Sequence, residues 1–276
     1  MARGSVARGT ALTRRPRSPP PPHPTPPPPP PPPLRSVRFW GRVTGTTADY
    51  LVAAGVLSTA DFPVRKWFYA TSKELVLRQL PGVTAAFAAE AAKLGGARFV
   101  GNPSARLGAD ADAEEEAEEL DEEGVAKPRK ELFSEAHRLA AAVAAIEADC
   151  GVVPKGAFAV TASRHVVPNA AFGGLSASAA TALNAWAHFR PPTAPARAAA
   201  LAKAAAVPGT DDFLDSLDDD EPRGVWATAL DAGRAVARVA SLRWPGYFAF
   251  ATVDGTAKWG AVYVGDGRAA EVQWML

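Results

Sequence analysis

Strand-like patterns of hydrophobic and polar positions fall in two stretches, one beginning at Val37 and one toward the C-terminus. Val37-Arg38-Phe39-Trp40-Gly41-Arg42-Val43 is β-branched and aromatic, and with Ala48 to Ala54 after Gly45 it predicts a pair of strands. Trp67-Phe68-Tyr69-Ala70 fits a third short strand. Near the C-terminus, Val225 to Leu230, Ala235 to Leu242, Tyr247 to Val253 and Ala257 to Val264 are strand-like runs. Asp231-Ala232-Gly233, Pro245-Gly246 and Asp254-Gly255 separate them, and these residues preset turn dihedrals, so the simplest topology is an antiparallel meander with Gly246 and Gly255 in its turns and Trp244 and Trp259 in the adjoining strands.

The middle of the chain has a different period. The Ala-rich stretch from Pro81 to Leu94 reads as a helix ended by Gly95-Gly96. Leu132, Phe133, Leu139, Val143 and Ile146 recur at mostly helical spacing and predict an amphipathic helix that packs on a sheet. Ser176 to Ala187, with a capping serine and with Leu183 and Trp186 on one side, predicts a second core helix. Val152 to Val160 contains Pro154 and Gly156 and reads as an edge or bulged strand. The class expected is α+β: a mainly antiparallel sheet with a C-terminal meander, packed with a few amphipathic helices.

Two segments lack the apolar payload of a core. Residues 1–36 hold no acidic residue and run nearly pure in proline from Pro19 to Pro33. This is a disordered or polyproline II segment, open to three readings: a ligand for aromatic grooves, a low-complexity leader or mis-assigned start, or an organellar transit peptide, whose usual amphipathic helix these prolines forbid. Asp110 to Glu123 is almost wholly acidic, giving an expected solvated loop at about 108–130 within a domain spanning 37–276.

Charge and cysteine content narrow the function classes. With 30 Lys+Arg against 29 Asp+Glu, no global field draws the chain to nucleic acid or an anionic membrane. No apolar run approaches the ~20 residues of a bilayer span. Cys150, the one cysteine, fits a reducing compartment and a buried apolar place at a helix end.

The chain has no GxSxG elbow, no Gly-rich phosphate loop and no HExxH helix. His23, His137, His165 and His188 are scattered without metal-ligand spacing. The acids of 211–221 interleave with Phe213, Leu214 and Leu217, which predicts a docked amphipathic turn with solvated carboxylates. No catalytic residue, cofactor site or metal site is expected. The residues singled out are aromatic: Trp40, Tyr50, Trp67, Trp226, Trp244 and Tyr263 are candidates for a partner interface or for the core.

Several blocks carry a family resemblance. Phe39-Trp40-Gly41-Arg42-Val43 with Ala48-Asp49-Tyr50-Leu51-Val52-Ala53, then Arg65-Lys66 and Tyr69, is similar to the opening of the radial spoke head protein 9 family. Arg98-Phe99-Val100-Gly101-Asn102-Pro103-Ser104, Pro154-Lys155-Gly156-Ala157, Phe172 with Gly174-Leu175-Ser176, and His188-Phe189-Arg190 continue the series in order. Asp212-Phe213-Leu214-Asp215-Ser216-Leu217, Pro222-Arg223-Gly224-Val225-Trp226, Leu242-Arg243-Trp244-Pro245-Gly246, the run Gly260 to Gly267 and the final Met275-Leu276 complete it. The resemblance covers Val37 to the end. It departs at Met1 to Ser36, where family members carry a helical, leucine-bearing segment.

The resemblance implies a non-catalytic structural subunit of the spoke head in the axoneme of motile cilia. It implies a role in head assembly and in relaying central-pair signals that regulate dynein, without a cofactor. Implied partners are other spoke-head subunits, including those numbered four and six, and the central pair contacted by the assembled head. Two rivals stand beside it: an organellar or cytosolic α+β enzyme with an unrecognised site, which would require a polar, converging pocket, and a proline-rich adaptor acting through residues 14–33.

Overall fold

The computed structural model describes residues 34–57, 62–111, 131–204 and 212–272. The proline run up to Pro33, the acidic stretch 112–130 and the final Met275-Leu276 lie outside the described residues. In chain order, β1 (Leu34–Val43), β2 (Tyr50–Leu57), β3 (Val64–Thr71) and β4 (Arg78–Gln79) precede α1 (Ala85–Lys93) and α2 (Glu135–Cys150). There follow β5 (Val152–Pro154), β6 (Phe158–Val160), β7 (Val166–Pro168), α3 (Ala177–Ala180), β8 (Trp186–His188) and α4 (Pro195–Ala204). The last four strands are β9 (Trp226–Asp231), β10 (Val236–Ser241), β11 (Tyr247–Thr252) and β12 (Trp259–Gly265).

Eight strands form one sheet in the order β4-β3-β2-β1-β12-β11-β10-β9, so the fold is α+β with a mainly antiparallel sheet. The C-terminal meander is present, and Gly246 (φ 99°) and Gly255 (φ 81°) sit in its turns. A second, N-terminal meander lies beside it. The two join where β1 runs parallel to β12 through only three residue pairs, Gly41 with Tyr263, Arg42 with Val264 and Val43 with Gly265. A parallel pair needs a long crossover, here everything between the first and last strands.

The Phe39-Trp40-Gly41 sequence builds this seam. The β1–β2 register slips between Phe39 and Gly41, so Trp40 is the extra residue of a bulge. The bulge turns Trp40 into the core while Phe39 stays exposed. At Gly41 a Cβ would lie 2.2 Å from the Tyr263 carbonyl oxygen, so no side chain fits where β1 meets β12.

Helix α2 covers the core face of the sheet. Leu139, Val143, Ile146 and Cys150 make a stripe at helical spacing and are buried with Tyr50, Val52, Tyr69, Tyr247 and Val239 from both meanders. A second cluster, Phe158, Val166, Phe213 and Leu214 with Phe189, fills the space under the two small sheets formed by β5–β8 and β6–β7.

The structure corrects four expectations. The helix over Ser176–Ala187 is one turn: Ser176 accepts the Ala179 N–H, but the chain leaves α3 at Ala180 because Trp186 is buried and pairs as a strand with Pro154. Val152 to Val160 is two strands in separate sheets, divided at Gly156 (φ 84°). Trp244 lies in the β10–β11 connection rather than in a strand. The carboxylates of 212–221 are not all solvated, as follows.

Candidate functional site

Carboxylates of α2 and of the 212–220 segment are the polar framework of the core. Glu135, fully buried in the first turn of α2, accepts hydrogen bonds from the backbone N–H groups of Val100 (2.9 Å), Gly101 (2.7 Å) and Asn102 (3.1 Å) and from the Tyr50 hydroxyl (2.6 Å). Burial, with the Glu135 charge beside it, pushes the Tyr50 phenol well above its ordinary pKa, so it stays a donor. At the other end of α2, Glu147 accepts the Trp40 indole N–H (2.8 Å) and pairs with Arg65. Asp149 accepts the Trp244 indole N–H (2.8 Å) and meets Arg243 at 3.3 Å. One helix therefore holds the N-terminal meander through Tyr50, Trp40 and Arg65, and the C-terminal meander through Trp244 and Arg243.

Near β9, Asp220 accepts His188 Nε2 (2.8 Å) and the Trp226 indole N–H (2.6 Å). Asp215 is buried and accepts the N–H groups of Thr193 (2.8 Å) and Ala194 (3.3 Å), satisfying donors at the start of α4, with Arg190 at 3.0 Å. Asp212 pairs with Lys155 and Arg197, and Asp218 and Asp219 are exposed.

Burial alone would raise the carboxyls of Asp215 and Asp220, but hydrogen bonds and adjacent cations outweigh it and hold both below the usual range. The folded pKa is therefore depressed, and the stabilisation is present at neutral pH and lost as pH falls through the folded value. Thermal melts followed by circular dichroism should show Tm falling steeply below about pH 4, where unfolded carboxylates protonate. A Tm constant down to about pH 3 would contradict this.

Of the six aromatic candidates, Trp40, Tyr50, Trp226, Trp244 and Tyr263 are buried and Trp67 is partly buried. Trp40 brings two others together, with ring centroids 5.6 Å from Trp67 and 5.5 Å from Tyr263 at the seam. Tyr50 packs instead on Tyr69 and Phe99, and Trp226 on Tyr247. Sequence reasoning missed Glu135, Glu147, Asp149 and Asp220 as their partners. The helical spacing of Glu135 with Leu139 and Val143 was the available signal, since it places the carboxylate on the buried stripe.

The surface residues are of another kind. Val37, Phe39, Phe248 and Val264 stand exposed on the sheet face opposite α2. At one end of the seam β1 and β12 diverge, leaving a cavity of about 590 Å³ lined by Arg35, Arg38 and Phe39 on one side and by Gly260 to Val262 on the other. A second cavity, about 1080 Å³, lies over the alanine-rich faces of α1 and α2. Neither is lined by the buried His188 or its half-buried partner Asp220. Among the described residues no group of three or more His, Cys, Asp or Glu could hold a metal ion, and no helix is long and apolar enough to cross a membrane. Cys150 is buried, its thiol pushed up to about 12 by burial.

The fold is an α+β domain whose polar groups join two meanders and which leaves apolar side chains such as Phe39 and Val264 exposed. The chain is 35% identical over 232 residues to the Radial spoke head protein 9 homolog of Danio rerio, covering 84% of this chain and 81% of that one. The corresponding proteins of Homo sapiens (35% over 234 residues) and Bos taurus (34% over 233 residues) align over the same shares. No known family profile matches the chain. The chain belongs to the radial spoke head protein 9 family.

The blocks that carry the resemblance fall at the joints just described. Phe39 to Val43 is the bulge and seam, Val100 to Asn102 supplies the amides on Glu135, and Arg243-Trp244 meets Asp149. In Gly265-Asp266-Gly267 the last N–H donates to the Tyr263 hydroxyl at 2.8 Å.

Proposed function

We propose that the protein is a non-catalytic structural subunit of the radial spoke head in the axoneme of motile cilia. It is needed for head assembly and for relaying central-pair signals that regulate dynein-driven motility. Its partners are other spoke-head subunits, including those numbered four and six, and the head they form faces the central pair. The observation that carries the reading is the similarity to proteins named radial spoke head protein 9 homolog over 84% of the chain. The structure supports it: one helix cross-ties two meanders into a single sheet, and exposed apolar side chains remain for neighbours.

A null strain tests the reading. Its cilia should beat abnormally, and its axonemes should carry spokes with missing or incomplete heads. A truncation ending before Leu242 should fail to rescue, because it removes β11 and β12 and with them the seam. Normal motility with intact heads in the null strain would overturn the proposal, as would turnover of a metabolite by the purified protein.

A further inference from the structure

We propose that the wedge between β1 and β12 is a docking groove for an extended segment of a neighbouring chain that carries both apolar and acidic side chains. The proposal rests on the scaffold reading above and names the surface through which it works.

Pairing between β1 and β12 stops at Gly41 and Tyr263, and beyond that point the paired residues of Leu34 to Phe39 pair only with β2, and Trp259 to Val262 only with β11. Two strand edges thus face each other across the cavity with no backbone hydrogen bond between them among the described residues. Unpaired edges are templates for strand addition, and an extended chain satisfies their N–H and C=O groups.

Side chains specify what kind of chain fits. The groove has an aromatic floor, with Phe158 stacked on Phe189 at 4.0 Å and Trp259 set edge-on to Phe158 at 5.6 Å. Its rim carries the exposed Phe39. Arg35, Arg38 and Arg65 also line it, and among the described residues the carboxylate facing them is that of Glu147. That carboxylate is already taken by Arg65 and by the Trp40 indole. Arg35 and Arg38 are exposed and have no ion-pair partner among the described residues. Among the described residues the groove therefore holds two positive charges without a paired carboxylate above an apolar floor, which an acidic and apolar strand complements.

The same charges argue against a second copy of this chain. Edge-to-edge pairing about a two-fold axis would bring the arginine pairs of both copies together, and like charges on facing strands repel.

The test uses the purified full-length protein and a short fluorescein-labelled peptide of alternating glutamate and valine, followed by fluorescence polarisation. Binding should be saturable, weaken with added salt, and be absent for the same peptide with lysine in place of glutamate. The double variant R35E/R38E should bind roughly tenfold more weakly or worse, with an unchanged melting temperature because both side chains are exposed. R234E/R238E makes the same change of charge at the far end of the sheet and should bind like the unaltered protein.

Three results would overturn the proposal. They are no binding of the glutamate–valine peptide, equal weakening by both double variants, and self-association in sedimentation equilibrium that R35E/R38E abolishes. A failed titration alongside headless spokes in the null strain would remove the wedge as the docking site while leaving the scaffold role intact.

Discussion

Replacing Glu135 with alanine should cost the fold about 3–5 kcal/mol, a large share of the roughly 5–15 kcal/mol that holds a domain together. The side chain is fully buried and is the acceptor for three consecutive backbone N–H groups and the Tyr50 hydroxyl. Removing it strands four donors in a site where each unsatisfied group costs ~1–3 kcal/mol, and water entering the vacated space recovers only part of that. Glutamine is the informative comparison. It keeps the volume but turns one acceptor oxygen into a donor that faces other donors, so E135Q should lose nearly as much as E135A. Urea unfolding followed by tryptophan fluorescence would read both midpoints. A loss below about 1 kcal/mol in E135A would show that the loop around Gly101 does not depend on this carboxylate.

Trp244→Ala should have a similar effect, about 3–5 kcal/mol, because it deletes a buried ring and leaves a cavity at the corner of the C-terminal meander. The ring is placed by its indole N–H on Asp149 and by its backbone N–H on the Ser241 hydroxyl at 3.1 Å. Trp244→Phe separates packing from hydrogen bonding: it retains most of the volume and should lose only about 1 kcal/mol. Asp149 keeps Arg243 in that variant and is not left without a cation. An alanine variant as stable as the unaltered protein, yet absent from spoke heads, would identify Trp244 as a partner contact instead.

What the sequence made legible follows from the range of the interactions involved. Turn chemistry is local, so Pro245-Gly246 and Asp254-Gly255 marked the C-terminal meander correctly, and the 3.6-residue period of Leu139, Val143 and Ile146 marked α2. The seam was not legible. It pairs residues about 220 positions apart, and it depends on a bulge that places Trp40 against the alternation of its own strand. Trp186 shows the same limit: serine capping and alanine content argue for helix, but a long-range partner strand decides the conformation. The acidic run at 212–220 read as solvated because spacing does not reveal that Asp215 meets the start of α4, or that Asp220 meets His188 and Trp226. The aromatic residues stood out in composition, whereas the carboxylates that anchor three of the tryptophans did not.

The central claim is that this chain works as a part of the spoke head, and the most direct measurement is its position in the axoneme. A compact density tag fused to the C-terminus, expressed in the null strain and located by cryo-electron tomography, would settle it. The account predicts extra density on the spoke heads, repeating along the doublets with the spokes, and restored beating. Tag density confined to spoke stalks, to the doublet wall or to the cell body, in a strain whose motility is restored, would contradict it.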